Sequence, residues 1–242
     1  MAEINKFLIV LPYYRRPSIV LNALDSIKNL NYQNWELSFI DDSGDDSFKE
    51  TLLNFGLDNS KIKYTAIYDS DEAKQLNNGS RHGEFMNNSI LESDADIIII
   101  LCDDDALLNN SLTDLNQFYT NNPHINWAYS LVTYYNPLIE TYRDATPDLT
   151  RIGGNSVHCL NTNVGTFNPS GNCDGSQVTY RRTLITNQLG FPSPTTKNLD
   201  AHIFNQLFDA YGGCYFTGIF VQCKGAHREQ LGVRESTWIN LN

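Results

Sequence analysis

The sequence predicts an α/β protein built on a mostly parallel central sheet, and three features predict it. The first is the run Asp96-Ile97-Ile98-Ile99-Ile100-Leu101-Cys102-Asp103-Asp104-Asp105. Its five consecutive apolar residues are too few for a membrane span and suit a strand buried on both faces of a parallel sheet. The second is the stretch from Phe7 to Ile40, which reads strand, helix, strand, a right-handed parallel crossover. The third is where the acids fall. The strands ending at Ile40 and Leu101 both run into carboxylates, Asp41-Asp42 and Asp103-Asp104-Asp105. In open α/β sheets, ligands bind just beyond the carboxyl ends of strands. Two unit charges about 4 Å apart repel by roughly 4 kcal/mol at an effective dielectric near 20. Three adjacent carboxyls there raise their pKa values or hold a cation. Their hard oxygens suit Mg²⁺ or Mn²⁺ and, through the ion, a diphosphate. The plainer reading is a solvated acidic turn that closes a strand.

Taken in order, Phe7-Leu8-Ile9-Val10-Leu11 is the first strand, stopped by Pro12. Pro17 opens a helix over Ser18 to Leu30, with Ile19, Val20, Ala23, Leu24 and Ile27 at helical spacing. Trp35 to Ile40 is a strand, Ser47 to Phe55 a helix and Ile62 to Tyr68 a third strand. Asp69 to Gly79 is a polar loop. Arg81 to Glu92 is helical, with Phe85, Met86, Ile90 and Leu91 inward, and leads into the acidic strand. Leu112 to Tyr119 is a helix and Trp127 to Tyr135 a strand. Residues 136–175, rich in Asn, Gly, Thr and Pro, read as loops and short strands. Thr183 to Leu189 reads as a short helix capped by Gly190. A helix from Leu199 to Tyr211 ends at Gly212-Gly213, and Cys214 to Gln222 is a late strand.

Composition narrows the function classes. The 242 residues carry 17 basic and 28 acidic side chains, a formal net charge of −11. That excludes reliance on general attraction to nucleic acid or anionic lipid. An anionic small ligand remains open to a metal or a few placed arginines. The five cysteines (Cys102, Cys159, Cys173, Cys214, Cys223) are odd in number and form no C-x-x-C pair, which predicts reduced thiols and a cytoplasmic setting. The N-terminus lacks the build of a signal peptide, and no run of about 18 apolar residues predicts a transmembrane segment.

Six motifs, in order, resemble those of the nucleotide-sugar-dependent GT-A glycosyltransferases of the family 2 type. Leu11-Pro12-Tyr13-Tyr14-Arg15-Arg16 resembles "P-x-Y-N-R", with Arg15 where Asn is usual. Phe39-Ile40-Asp41-Asp42-Ser43-Gly44-Asp45 is similar to "V-D-D-G-S-x-D". Arg81 with Asn87 looks like "R-x-x-x-x-x-N", and Leu101-Cys102-Asp103-Asp104-Asp105 like the Asp-x-Asp metal motif. Gly175 to Arg182 resembles the acceptor-side strand. Asn198-Leu199-Asp200 stands where "E-D" is usual, with Leu199 in place of the Glu.

The resemblance covers nearly the whole chain. It implies a GT-A (Rossmann-like) three-layer sandwich forming one domain over 1–242, with a nucleotide-sugar-binding half at 1–135 and an acceptor-binding half with a tail at 136–242. It implies an enzyme, a hexosyl-type transferase. It would move a sugar from a UDP-sugar to a hydroxyl of a glycan or other acceptor, with inversion and with Mn²⁺ or Mg²⁺.

The roles it implies are these. Asp42 or Asp41 accepts the N3–H of a uracil-type base, since a carboxylate is acceptor-only, and Pro12 and Tyr14 line the base pocket. Arg81 meets the nucleotide or its diphosphate. Asp103 and Asp104 contact the nucleotide-sugar, and Asp103 and Asp105, with His227, hold the metal. Three aspartates in a row offer two registers, so which of them takes the ion stays open. Asp200 is the general base. A nucleotidyltransferase is a second reading, although its Gly-rich phosphate loop has no counterpart at Pro12 to Pro17. A sugar-nucleotide or glycan-binding module without turnover is a third.

Overall fold

The computed structural model describes residues 4–68, 82–135, 167–170, 173–186, 188–191 and 199–225. In chain order these form β1 (Phe7–Tyr13), α1 (Pro17–Lys28), β2 (Trp35–Asp41), α2 (Lys49–Leu53), β3 (Ile62–Ala66), α3 (His82–Glu92), β4 (Ile97–Ile100), β5 (Ala106–Leu107), α4 (Ser111–Asn121), β6 (Trp127–Tyr135), β7 (Val178–Arg181), α5 (Leu199–Tyr211) and β8 (Tyr215–Gly225). The strands make one eight-stranded sheet in the order β3-β2-β1-β4-β7-β6-β8-β5. The β3-β2-β1-β4 half is parallel throughout. The other half is mixed: β7 runs antiparallel to both neighbours, β6 and β8 are parallel, and β5 is antiparallel to β8. The α/β expectation is met, with its parallel character concentrated in the first half.

Strand alternation sorts the core into two layers. Ile97 and Ile99 of β4 join Phe7, Ile9 and Leu11 on the face covered by α1, α2 and α4. Ile98 and Ile100 join Leu8 and Val10 on the opposite face, under Met86 and Ile90 of α3 and Ile203, Phe204 and Leu207 of α5. This is why four isoleucines in a row are wanted: each is fully or almost fully buried, whichever way it points. Such burial stabilises by about 1.5–3 kcal/mol per side chain.

β1 runs two residues further than expected, through Pro12. Its pairing with β4 ends at Val10↔Ile100, whereas its pairing with β2 continues to Tyr13↔Asp41. Pro12 therefore lies past the last β4 pair, where its missing N–H removes no ladder bond. The helix expected over Thr183–Leu189 is instead a 3-10 turn, Arg182–Leu184, followed by a local turn. The Thr186 hydroxyl accepts the N–H groups of Gln188 and Leu189, and the Thr186 N–H donates to the Leu189 carbonyl. These bonds compete with a helical ladder. α2 is shorter than its expected span from Ser47 to Phe55, and the following Gly56 sits at φ +92°. The segments 69–81, 136–166 and 226–242, with Arg81 and His227 among them, lie outside the described residues. Among the described residues no helix is long and apolar enough to cross a membrane.

Candidate functional site

The ends of β1, β2 and β4 converge at one edge of the sheet. β1 separates the other two strands, so Asp41-Asp42 and Asp103-Asp104-Asp105 emerge about 10 Å apart, two strand spacings. Asp41 is enclosed: its Oδ1 accepts the Ser43 N–H at 2.9 Å and its Oδ2 the Tyr64 hydroxyl at 2.7 Å. Both oxygens thus hold this corner of the sheet. Asp42, also buried, donates its N–H to the Tyr13 carbonyl.

Beyond Tyr13 the chain turns at Arg15, whose φ of +49° is the sole positive value at a non-glycine among the described residues. The left-handed region costs an ordinary L-residue roughly 1–2 kcal/mol and is entered more readily by Asn. The position where Arg15 replaces the usual Asn is thus one where Asn has a backbone reason to stand. Arg15 donates its N–H to the Ser43 hydroxyl at 3.3 Å and its Nε–H to the Ser43 carbonyl at 3.1 Å, tying the ends of β1 and β2 together. Pro12 and Tyr14 are half-buried at this corner, and the Tyr14 N–H points to Asp103 Oδ2 at 3.4 Å.

Arg16 occupies the N-cap position of α1 without capping it. Its guanidinium reaches instead across the edge to the triplet. Nε–H donates to Asp103 Oδ2 at 3.2 Å, an Nη–H to Asp103 Oδ1, and the other to Asp104 Oδ2 at 3.2 Å. Sequence reasoning missed this role, because Arg16 entered only as the last letter of a motif. All three aspartates are buried. Burial pushes the Asp103 carboxyl up to about 6 even though Arg16 pulls it down. Burial likewise holds Asp105 well above the usual carboxylate range, against the pull of Lys224. Hydrogen bonds to charged groups contribute about 1.5–3 kcal/mol. Arg16→Met is therefore expected to lower unfolding free energy by about 2 kcal/mol. Denaturant unfolding checks this; an unchanged midpoint would mean that the pair adds no net stability.

The second half of the sheet closes the site. Gly225, at the end of β8, donates its N–H to Asp105 Oδ1 at 3.0 Å. The preceding Lys224 is buried, with Nζ 3.6 Å from Asp105 Oδ2 and 2.8 Å from Asp174 Oδ2. Burial pulls the Lys224 ammonium down, but the charges of Asp105 and Asp174 outweigh it and hold it well above its ordinary value. Asp174 opens a 3-10 turn, Gly175–Gln177, and the Gly175 N–H donates to Asp200 Oδ2 at 3.0 Å. Asp200, in the first turn of α5, is pushed up to about 6 by burial and by Asp174, against that N–H.

Asp105 Oδ2 is buried and has no hydrogen-bond partner among the described residues. Ligand atoms of Cys102, Asp104 and Asp105 lie within 4.8 Å of one another. Such a group, with one carboxylate oxygen facing the Lys224 ammonium at 3.6 Å but accepting no hydrogen bond from the described residues, fits a divalent cation. That group contains Asp105 of the expected pair and Asp104 beside it, while both oxygens of Asp103 accept from Arg16. Asp41, Asp42 and Asp103 to Asp105 thus emerge at one edge, while Arg81 and His227 fall outside the described residues. Asn87, from the same motif as Arg81, serves packing: its amide exchanges two 2.8 Å hydrogen bonds with the backbone of Phe191.

A sheet with a parallel acidic edge, helices on both faces and a mixed second half defines the GT-A class. The chain belongs to glycosyl transferase family 2, whose family model matches residues 8–187. It is 29% identical over 112 residues to a GalNAc(5)-diNAcBac-PP-undecaprenol beta-1,3-glucosyltransferase of Campylobacter jejuni, covering 46% of this chain and 34% of that protein. Its fold is similar to S. aureus TarS 1-349 in complex with UDP-GlcNAc, at TM-score 0.61 and 13% identity, covering 93% of this chain and 60% of that one. It is also similar to mannosyltransferase PcManGT from Pyrobaculum calidifontis in complex with GDP-Man and Mn²⁺, at TM-score 0.62 and 13% identity, covering 94% and 59%. The chain thus spans about a third of the curated relative and about 60% of these two solved chains.

Proposed function

We propose that the protein is a divalent-metal-dependent glycosyltransferase that moves a sugar from a UDP-sugar to an acceptor hydroxyl with inversion. One observation carries this reading: carboxylates from three distant segments, Asp42, Asp103 to Asp105 and Asp200, are tied to one sheet edge through Tyr13, Tyr14, Lys224 and the 174–177 turn. The nucleotide sugars bound by TarS and PcManGT, and the Mn²⁺ of PcManGT, support it by analogy of fold.

In this mechanism Asp42 accepts the base N3–H and Tyr14 lines the base pocket with Pro12. Asp104 and Asp105, with Cys102 alongside and His227, would hold the metal, and Arg81 would contact the diphosphate. A bound divalent ion supplies Lewis-acid stabilisation of the departing diphosphate. Asp103, gripped by Arg16, offers its carboxylate to the ribose. Asp200 takes the proton of the acceptor hydroxyl as its oxygen bonds to the anomeric carbon and the bond from that carbon to the diphosphate oxygen breaks. Calorimetric titration of UDP with Mn²⁺, followed by a screen of UDP-sugars for UDP release, tests the reading. Absence of both metal-dependent binding and UDP release would falsify it.

The pH profile follows from Asp200. A base must be ionised, and burial beside Asp174 moves this carboxyl up to about 6. Turnover at saturating donor is expected to climb close to tenfold per pH unit below 6 and to level off above it. A rate flat between pH 5 and 7 would remove Asp200 from the proton transfer.

A further inference from the structure

We infer that Lys224 is a positioning residue for transfer: its buried ammonium ties the metal-side acid Asp105 to the acceptor-side turn at Asp174 and thereby fixes the carboxylate of Asp200. The inference rests on the glycosyl-transfer reading and adds to it a role for Lys224.

Three contacts build the tie. Lys224 sits one residue from the end of β8, where β8 pairs with β6 through Tyr134↔Lys224 and with β5 through Ala106↔Cys223. β6 therefore pairs with Lys224 itself, and β5 with the preceding Cys223. Its Nζ lies 2.8 Å from Asp174 Oδ2, 3.3 Å from the Ser176 hydroxyl and 3.6 Å from Asp105 Oδ2. Lysine is almost never fully buried unless paired, and here the pairs belong to two different segments.

The turn it grips is braced by hydrogen bonds. Asp174 Oδ1 accepts the Ser176 N–H at 3.2 Å and the Ser176 hydroxyl at 2.9 Å, and the Asp174 N–H donates to Gln177 Oε1 at 3.1 Å. Gln177 in turn donates to the Ser130 carbonyl in β6 at 3.3 Å. Asp200 lies flat against this turn. Its Oδ2 takes the Gly175 N–H, and a Cβ at Gly175 would come within 2.5 Å of Oδ1. A carboxylate packed this closely moves when the turn moves. Misplacement by about 1 Å costs transfer reactions on the order of 10²-fold.

An ordinary buried ion pair would affect stability and leave turnover of the folded fraction alone. A positioning pair separates kcat from KM. For Lys224→Met, UDP release from UDP-glucose or UDP-GlcNAc, with water as acceptor, is expected to show kcat lowered about 100-fold. The KM for donor and the Kd for UDP with Mn²⁺ should stay within about threefold. Because Lys224→Met strands two acids and could fail to fold, Asp174→Asn is the second variant. It keeps the turn's side-chain acceptor and removes only the charge, and it is expected to lower kcat at least tenfold. The double variant should be no slower than Lys224→Met, as residues acting as a unit behave.

Unchanged kcat in a folded single variant, or a UDP Kd weakened more than tenfold alongside kcat, overturns the inference. A wild-type protein that binds no UDP and releases none overturns the parent reading instead. Amide exchange then decides the tie by itself: the Gly175 N–H should exchange at least tenfold faster in Asp174→Asn, and equal protection ends the proposal.

Discussion

Asp200→Asn is expected to reduce sugar transfer about 10³-fold, while the affinity for UDP with Mn²⁺ stays within a few-fold. The size follows from what a positioned general base contributes, about 10²–10⁴-fold. The selectivity follows from geometry. Asn retains an acceptor oxygen for the Gly175 N–H, 3.0 Å away in the wild type, so the turn and the first turn of α5 keep their places. Only the ability to take a proton is lost.

Stability should move the other way. Burial and Asp174 raise the folded pKa of Asp200 to about 6, above the ordinary 3.8. A group shifted upward contributes stability that is fully present below its unfolded value and is lost as pH rises through the folded one. At pH 8 the ionised carboxylate is therefore a burden on the fold. Asp200→Asn should unfold at the same temperature as wild type or higher, a familiar trade of stability against activity. An acid serving only α5 through the helix dipole would behave oppositely, losing stability on neutralisation and leaving turnover intact. Thermal unfolding and donor turnover on the same preparation separate the two roles.

The elements that were legible in the sequence are those whose signal is local. Four consecutive isoleucines announced β4, the apolar spacing from Ile19 to Ile27 announced α1, and the stretches 127–135 and 199–211 matched β6 and α5 end to end. β5 could not be read, since two residues carry no periodicity and Ala106–Leu107 is a strand only because β8 lies beside it. Thr183–Leu189 misled because helical spacing says nothing of a hydroxyl that takes the N–H groups for itself.

The site divides the same way. The acids stood out by their position after apolar strands. Arg16 and Lys224 did not, although among the described residues they are the cations paired with those acids. Lys224 lies about 120 residues from Asp105 and 50 from Asp174, and only sheet pairing brings the three together. One clue was available: a lysine ending the stretch Ile219-Phe220-Val221-Gln222-Cys223-Lys224 is a charge on a strand with buried neighbours, and such a charge needs partners.

Gly225→Ala is expected to be the most damaging single-methyl change near the site. The need for glycine here is one of space. A Cβ at residue 225 would stand 2.0 Å from the Asp104 carbonyl oxygen and 3.0 Å from its carbonyl carbon. Backbone cannot swing aside as a flexible side chain can, so either β8 or the acidic triplet must shift by more than an ångström. Overpacking a tight interior costs typically 1–3 kcal/mol, and a collision with main chain belongs at the upper end, about 3 kcal/mol. For a chain of this size that lowers the unfolding midpoint by roughly 6–12 °C.

The same shift removes the Gly225 N–H from Asp105 and displaces the Asp104 backbone beside it. The affinity for UDP with Mn²⁺ should therefore fall by about 30-fold in whatever protein remains folded, the scale of losing one hydrogen bond to a charged group, about 2 kcal/mol. Gly212→Ala is the control. Gly212 has nothing within 4 Å of its would-be Cβ and is limited only by a φ of +79°, so alanine there should cost roughly 1–2 kcal/mol and leave UDP binding untouched. If Gly225→Ala melts and binds UDP as wild type does, the end of β8 is not packed on the triplet, and Asp105 and Lys224 do not share a site.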